Sequence, residues 1–556
     1  MPNIFSLNKG TLFTLLPSLF LGAILLLGIL PQSGDNPLML APTILLTIVL
    51  ILGNKLSRIP TNDPMLLLIL LLFLVWGATG LASVTPFPTK VTWVIFATLP
   101  LTYLFVRTVP KIDLTLPLCA IGTGLACHAL YEYSIGTHRP SSIFDDANLL
   151  GLTIALCMAP TLKNKKTWIL FPIMLVAMLL TESRTALLAL LLGSAGYIAA
   201  SDKMSLKELL NNYYFIKFLG GLTILSIPLL FFTDFGNRIM HTWDHAQGRL
   251  AIWSGSATML EQHPITGFGL GTFHLNYPPF RLAGDDSLGL MAHMEPLQFA
   301  IESGWMAGLL LYALFALAMY RAHTHHKPTE AAILIGLFTA IHITYPLHVV
   351  GLMILLSATL AQTSPPSETK NSDTQPLLSY SLLITFLCTT LIALSAGYTF
   401  MLWNEATKAA RFQDQAKFDA ALTACFEQGD PQFPDCHTMA ARFLSLSQIS
   451  DKDKLEFHLQ KAEQLNPLNP ELPYLRARHM QLSDPNNITT LQPLLMESLS
   501  RDPTYWKARE MLIKILMSQD NYREAKKYLD QGKIYPYSGQ IRDTIMKLEA
   551  QINVRN

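Results

Sequence analysis

The stretch of sequence that decides the fold runs from residue 248 to residue 304. It reads GRLAIW at 248–253, HPITGFGLG at 263–271 and AHMEPLQFAIESG at 292–304. No other polar interruption in the apolar part of the chain is as long. Since apolar runs lie on both sides of it, the sequence predicts a loop held at a membrane face.

Composition is typical of a membrane protein. Of the 556 residues, 51% are hydrophobic and 14% are charged, against about 25% charged in soluble domains. The apolar runs approach the length that crosses a bilayer, which predicts an all-α polytopic membrane protein with about 12–13 spans. The net charge of +1 indicates no partner, because membrane proteins use charge by location. The predicted spans are 11–30, 37–53, 64–83, 91–108, 114–134, 147–161, 168–181, 184–200, 215–233, 298–320, 329–348, 350–361 and 378–401.

The basic residues predict the orientation of these spans. With the N-terminus in the cytoplasm, roughly fourteen Lys and Arg fall in inner loops and about six in outer loops, as the positive-inside rule requires. The loop at 248–304 and the C-terminus then both lie outside. Most of the outer basic residues are Arg, whose forked guanidinium suits phosphate oxygens. Polar groups near the outer ends of spans, among them Tyr345 and His348, are expected to face a cavity because they are costly at membrane depth.

The composition changes after Trp403, where apolar runs give way to helical patterning with charged side chains. Prolines then recur at intervals close to the period of about 34 residues that tetratricopeptide repeats have. They are Pro434, Pro467, Pro503 and Pro536. The pattern predicts about three to four helical hairpins in a short solenoid, with an unrelated helical bundle as the alternative.

A set of residues in and before the loop occurs in a recognisable order. They are Arg249 with Trp253 four residues on, Pro264, Gly267, Gly269 and Gly271 with Phe273, then His293 followed by Glu302 and Gly304. Upstream, ESRTA at 182–186 and FDDAN at 144–148 add two segments. Together they resemble the C-terminal signature of the O-antigen ligase and polymerase superfamily, which includes O-antigen ligases, O-antigen polymerases and bacterial protein O-oligosaccharyltransferases. Where family members often carry Asn after the histidine, this chain has Met294.

The resemblance implies an inverting transferase that moves a glycan from a polyprenyl diphosphate to an acceptor hydroxyl. It implies a site on the periplasmic face of the bacterial inner membrane, with no nucleotide, no obligatory metal and no other cofactor. Arg184 and Arg249 are expected to neutralise the leaving diphosphate. His293 is expected to act as the base, because an imidazole titrates near neutral pH.

Seven further residues are expected to bind substrate: Arg139, Asp145, Asn148, Tyr277, Arg281, Glu295 and Glu302. Asp145 either positions an acceptor or lies in a solvated turn. Tyr277 and Arg281 could form a face on which a sugar stacks, and Glu295 is either a partner of His293 or a carboxylate at a helix N-terminus. The three glycines at 267–271 are expected to form a tight turn, since no strand surrounds them as a dinucleotide fingerprint requires.

The expected partners are the lipid-linked glycan donor, membrane lipid and an acceptor that is either lipid A–core or a protein. The helical-repeat domain favours contact with a protein, because stacked hairpins present concave surfaces. Nothing in the sequence indicates a nucleic acid, and no Cys/His metal spacing occurs. A polymerase that joins lipid-linked repeats is the first alternative. A lipid-linked oligosaccharide transporter is the second, but the sequence lacks the two related halves expected of one.

Four regions follow from this reading. They are N-terminal spans at 1–233, a periplasmic loop with the catalytic residues at 234–297, C-terminal spans at 298–402 and a periplasmic helical-repeat domain at 403–556. Cys425 and Cys436 lie in the last of these regions. An oxidising compartment allows a disulfide between them, and two free buried thiols are the alternative.

Overall fold

The computed structural model describes residues 9–30, 37–52, 62–109, 112–144, 146–163, 167–201, 242–285, 287–365, 375–446, 452–483, 488–535, 537 and 539–555. Within these ranges the regular structure is helical and contains no strand, which confirms the predicted all-α class. Long runs of Leu, Ile and Val form helices here because a helix satisfies its own backbone hydrogen bonds, as an apolar environment requires.

Ten helices make up the described part of the chain before the large loop and enter that loop. They are α1 (Lys9–Ile29), α2 (Ala41–Leu52), α3 (Pro64–Gly80), α4 (Pro86–Phe96), α5 (Thr98–Thr108), α6 (Thr115–Ser134), α7 (Ala147–Met158), α8 (Leu170–Leu180), α9 (Arg184–Ala199) and α10 (Thr242–Gln262). Side-chain caps fix three of the starting points. Asp63 accepts from the N–H of Met65, Asp146 from that of Asn148, and Ser183 from that of Ala186.

The loop and the bundle that follows contain six more helices. They are α11 (Phe273–Asn276), α12 (Glu295–Ser303), α13 (Trp305–Thr324), α14 (Pro328–Ala340), α15 (Val350–Thr363) and α16 (Gln375–Arg411). The helix α16 continues beyond residue 403, where the composition changes.

Three helical stretches of the described chain are long and apolar enough to cross a membrane: Pro86–Thr108, Trp305–Thr324 and Tyr380–Arg411. Eight shorter apolar helices accompany them. The prediction of about 12–13 spans is therefore not reached by full-length helices among the described residues. The predicted span at 215–233 lies outside those residues.

The predicted span at 298–320 is wrong at its start, because a glycine breaks the helix. Gly304 has φ +80°, so α12 ends at Ser303 and α13 begins at Trp305. A Cβ at this position would lie 1.9 Å from the carbonyl oxygen of Ile265. Only glycine fits this close approach with a positive φ, and α12 is thereby separated from the bundle helix α13.

A buried polar cluster joins four helices at the end of the bundle away from the loop. Asp63, at the start of α3, accepts hydrogen bonds from Tyr103 on α5 and from Arg321 on α13, the latter at 2.9 Å. Ser364, after α15, receives the same arginine at 2.7 Å, and Arg107 lies 3.8 Å from Asp63. The cluster fixes these helix ends to one another.

Eight helices follow in the described part of the C-terminal region. They are α17 (Gln415–Gln428), α18 (Asp435–Leu444), α19 (Lys452–Leu465), α20 (Glu471–Ser483), α21 (Ile488–Arg501), α22 (Trp506–Ser518), α23 (Tyr522–Lys533) and α24 (Gly539–Arg555). Their assignment to the tetratricopeptide class stays a prediction. Cys425 and Cys436 form a disulfide with their Cα atoms 6.4 Å apart, which decides between the two alternatives that the sequence leaves open.

The segment between α17 and α18 contacts the membrane helices. Phe433 packs against Phe87 on α4, with ring centroids 4.7 Å apart, and against Trp403 on α16 at 5.6 Å. Lys90 pairs with Asp430 and also donates to Gln432 at 3.1 Å. The disulfide closes this same segment, so it is held at both ends.

Candidate functional site

The glycine-rich turn of the loop wraps around a buried carboxylate. Gly267, Gly269 and Gly271 have φ of +67°, +121° and +72°, which confirms the predicted tight turn. Glu302 is fully buried on α12 and accepts from the N–H of Gly271 at 2.8 Å and of Phe273 at 3.2 Å. In this conformation Glu302 holds the loop against α12.

His293 lies just before α12 in a left-handed backbone conformation, with φ +55°. Its neighbours are hydrogen-bonded on both sides. The carbonyl of Ala292 accepts from the indole N–H of Trp253 at 3.0 Å, and the N–H of Ala292 donates to Gln298 at 3.0 Å. After it, the N–H of Glu295 donates to the carbonyl of Ile341 at 2.8 Å. The imidazole is therefore carried on a backbone segment that cannot move freely.

One face of α12 surrounds a second histidine, His348. Glu295, Gln298 and Glu302 follow a helical spacing that aligns them on this face. The Nδ1 atom of His348 lies 3.1 Å from Glu295, and its Nε2 atom lies 3.1 Å from Gln298 and 4.0 Å from Glu302. Burial alone would lower the pKa of His348, but its hydrogen bonds to Glu295 and Glu302 outweigh burial and raise that pKa to about 9. Of the two alternatives for Glu295, it lies at a helix N-terminus, and its partner is His348.

A chain of contacts leads from His293 to distant parts of the sequence. The ring of His293 meets the edge of Tyr345 with centroids 5.4 Å apart, and Tyr345 donates to Asp146 at 3.1 Å. Burial and the neighbouring Asp146 raise the pKa of Tyr345, so its hydroxyl stays a hydrogen-bond donor. The segment that carries Asp146 is thereby joined to the loop.

Arg139 extends this chain to the start of α9. Its guanidinium donates to the side-chain oxygen of Asn148 at 2.8 Å and to the backbone carbonyl of Thr181 at 3.0 Å. Thr181 is followed by Glu182, which is buried with φ +53°, and by Arg184, the first residue of α9. Two of the predicted substrate-binding residues thus bond to each other and to the segment that begins with the predicted Arg184.

Three helix N-termini of the described chain meet at this place: those of α7, α9 and α12. The positive end of a helix dipole favours anions, and the first N–H groups of a helix point outward as donors. Arg184 adds a full positive charge at one of these ends. Arg249 lies on α10 one turn before Trp253, the residue that bonds beside His293. The arrangement can hold an anion close to an imidazole.

Tyr277 and Arg281 form a separate cluster inside the loop. The ring of Tyr277 is 0% exposed and stacks on Phe273 at 4.8 Å, and its hydroxyl donates to Asp285 at 2.8 Å. The Nε atom of Arg281 lies 3.4 Å from Asp285. Buried in this way, the ring offers no open face to a sugar, so these contacts favour a role in holding the loop. Asp145 lies outside the described residues.

The site includes groups that the sequence analysis does not select as site residues: Asp146, Gln298, Tyr345 and His348. Two signals were available for them. Glu295, Gln298 and Glu302 repeat with helical spacing in an otherwise apolar segment, and Tyr345 and His348 lie near the outer end of a predicted span. Neither signal says which residues pair, because the partners are about fifty to two hundred residues apart.

The fold and this site define a helical membrane protein with a polar, anion-favouring site on one side of its bundle. Residues 169–312 match the family model described as O-antigen ligase. This match supports the O-antigen ligase and polymerase superfamily and, with it, a membrane glycan transferase that uses a lipid-linked donor and an acceptor. It covers Arg184, Arg249 and His293 and ends before Tyr345. Comparison with curated proteins gave no match.

Proposed function

We propose that this protein transfers a glycan from polyprenyl diphosphate to a hydroxyl of lipid A–core or of a protein, with inversion and without an obligatory metal. Transfer to such an acceptor stands ahead of polymerisation. The site and the helical C-terminal domain lie on the periplasmic face of the inner membrane. The disulfide between Cys425 and Cys436 supports this side, because disulfides persist in oxidising compartments.

The observation that carries the proposal is the meeting of three helix N-termini beside an imidazole. Anionic diphosphate is favoured there by backbone donors and by the arginines of the site. Arg139 joins two of the N-terminal segments, and Arg184 begins the helix of one of them. His293 belongs to the third segment, within ring contact of Tyr345.

The chemistry assigns a role to each of these groups. The acceptor oxygen attacks the anomeric carbon while the bond from that carbon to the diphosphate oxygen breaks, with its electron pair leaving on the diphosphate. The acceptor proton moves to His293, which acts as general base. Arg184 and Arg249 stabilise the negative charge that develops on the leaving group. Arg139 and Asn148 position the donor, while Glu295 and Glu302 position the loop.

The experiment that tests this function is deletion of the gene followed by analysis of glycoconjugates. The expected result is the loss of one glycoconjugate, a capped lipopolysaccharide or a glycoprotein, together with accumulation of its polyprenyl-diphosphate precursor. Loss of long chains alone, with single repeats still transferred, would favour the polymerase. An unchanged glycoconjugate profile would contradict both.

A further inference from the structure

A cavity of about 320 Å³ lies between α4, the loop and the first part of the C-terminal domain. Its walls include Phe87 of α4, Met291 of the loop, and Phe433 and Asn466 of the C-terminal domain. The volume lies at the lower end of the range of about 300–1,000 Å³ that is usual for ligand pockets. Three separate parts of the chain thus enclose one space.

The cavity reaches the backbone segment that carries His293. Met291, on its wall, precedes His293 by two residues, a distance of at most about 7 Å along the chain. His348 also lines the cavity, and it bonds to Glu295 two residues after His293. A group bound in the cavity therefore lies close to the proposed base.

One polar atom on the cavity wall has no partner. The side-chain oxygen of Asn466 accepts no hydrogen bond, although the residue is only 7% exposed. A buried acceptor without a donor destabilises the fold, so its retention in a cavity wall points to a ligand that supplies an N–H or O–H. Asn466 follows α19, and the fold of this junction does not require its amide oxygen.

The rest of the lining selects the class of ligand. Phe87, Phe400 and Phe433 offer aromatic surface, and none of the described residues that line the cavity is Lys or Arg. His274, also on the wall, has a pKa lowered by burial and is therefore neutral. Phosphates such as those of lipid A–core need arginine or lysine partners, whereas a polypeptide segment needs apolar surface and amide partners.

We propose that this cavity binds a segment of a polypeptide acceptor and brings its hydroxyl to His293. The proposal rests on the proposed function and names the acceptor class that the same site serves. The cavity wall at Phe433 is held in place by the disulfide at Cys436 and by the pairing of Lys90 with Asp430. The helical C-terminal domain then forms part of the acceptor site.

The test uses the full-length protein in nanodiscs with an undecaprenyl-diphosphate-linked oligosaccharide as donor. Two acceptor probes are supplied in parallel: a synthetic peptide rich in Ser, Ala and Gly, and rough lipopolysaccharide. Wild-type protein should glycosylate the peptide and leave the lipopolysaccharide unmodified. N466L and F433A should each raise the KM for the peptide at least tenfold, with donor hydrolysis by water within twofold of wild type. F457A, which changes a half-exposed ring of the same domain outside the cavity, should match wild type.

A stability measurement separates ligand binding from a structural role. Because Asn466 leaves a buried oxygen unpaired, N466L should keep or raise the Tm while it weakens use of the peptide. A lowered Tm with lost donor hydrolysis would make Asn466 structural and overturn the proposal. Transfer to lipopolysaccharide instead of peptide, transfer to neither with hydrolysis retained, or an unchanged KM in both variants would also overturn it. Absence of both transfer and hydrolysis in wild type would contradict the proposed function itself.

Discussion

His293 holds a backbone conformation that residues with a side chain seldom adopt. A non-glycine residue at positive φ costs on the order of 1–3 kcal/mol and persists only where its surroundings impose it. Here Trp253, Gln298 and the carbonyl of Ile341 fix the backbone on both sides. The imidazole is therefore oriented before any substrate binds, as a general base requires.

The two arginines assigned to the leaving group give a prediction at the same scale. R184A and R249A should each lower the transfer rate at least tenfold, about 1.4 kcal/mol of transition-state stabilisation. R184K and R249K should restore only part of it, because an ammonium lacks the forked donor geometry. The measurement is initial rate with a lipid-linked donor, and R411A, an exposed arginine beyond the last bundle helix, is the control. Wild-type rates in either alanine variant would show that the diphosphate is bound elsewhere.

His348 predicts a dependence of stability on pH. Its pKa is raised to about 9 in the folded state, above the value of about 6.5 in an unfolded chain. Its contribution, up to about 3 kcal/mol, is fully present below pH 6.5 and is lost as pH rises through about 9. The Tm of the detergent-solubilised protein should therefore fall between pH 7 and pH 9.5.

The matched variant for this prediction is H348Q, which keeps hydrogen-bonding capacity and removes the charge. Its Tm should be lower than wild type at pH 7 and should change less between the two pH values. Parallel pH profiles for the two proteins would show that His348 is not charged between Glu295 and Glu302.

At the scale of helices, the polar cluster at the far end of the bundle predicts a strong effect on stability. D63N removes the carboxylate that faces Arg107 and Arg321 and leaves two buried guanidiniums without it. Breaking a buried ion pair costs about 3–5 kcal/mol, so D63N should unfold at clearly lower temperature. D113N, at a carboxylate whose side chain is 63% exposed, is the control and should change stability by less than about 0.5 kcal/mol. Equal stability of D63N and wild type would contradict the account of this cluster.

Local conformation could be predicted from the sequence, whereas pairing between helices could not. The glycines at 267–271 indicate a tight turn because positive φ is nearly their own domain. The break at Gly304 was missed because apolar residues continue on both sides of it and hydropathy does not register one φ angle. The bond between Tyr345 and Asp146 joins residues 199 apart, and no local pattern encodes such a contact.

For the whole molecule, composition was enough to predict helices in a membrane and a polar helical domain after them. The contact of that domain with α4 was not predictable, because it depends on Lys90 meeting Asp430 and on aromatic packing at Phe433. The disulfide also needed the structure, since the sequence fits two free thiols equally well. Part of the candidate acceptor cavity arises only from this contact.

The orientation of the whole molecule predicts which positions an impermeant reagent reaches. Cysteine placed at Leu288, whose side chain is 83% exposed on the loop, should react with an external maleimide in intact spheroplasts. Cysteine placed at His325, between α13 and α14, should react only after lysis. The background should lack Cys127 and Cys388, which are exposed. The reverse labelling pattern would overturn the orientation. Asp285, although in the same loop, is 1% exposed and unsuitable.

The most direct measurement of the central claim is the rate at which H293A releases polyprenyl diphosphate from a lipid-linked donor in the presence of acceptor. Loss of a general base should lower this rate by about 10²–10⁴ while donor binding and Tm stay near wild type. H323A, an exposed histidine at the opposite end of α13, should keep the wild-type rate. A wild-type rate in H293A would contradict the claim that the imidazole between these helix N-termini takes the acceptor proton.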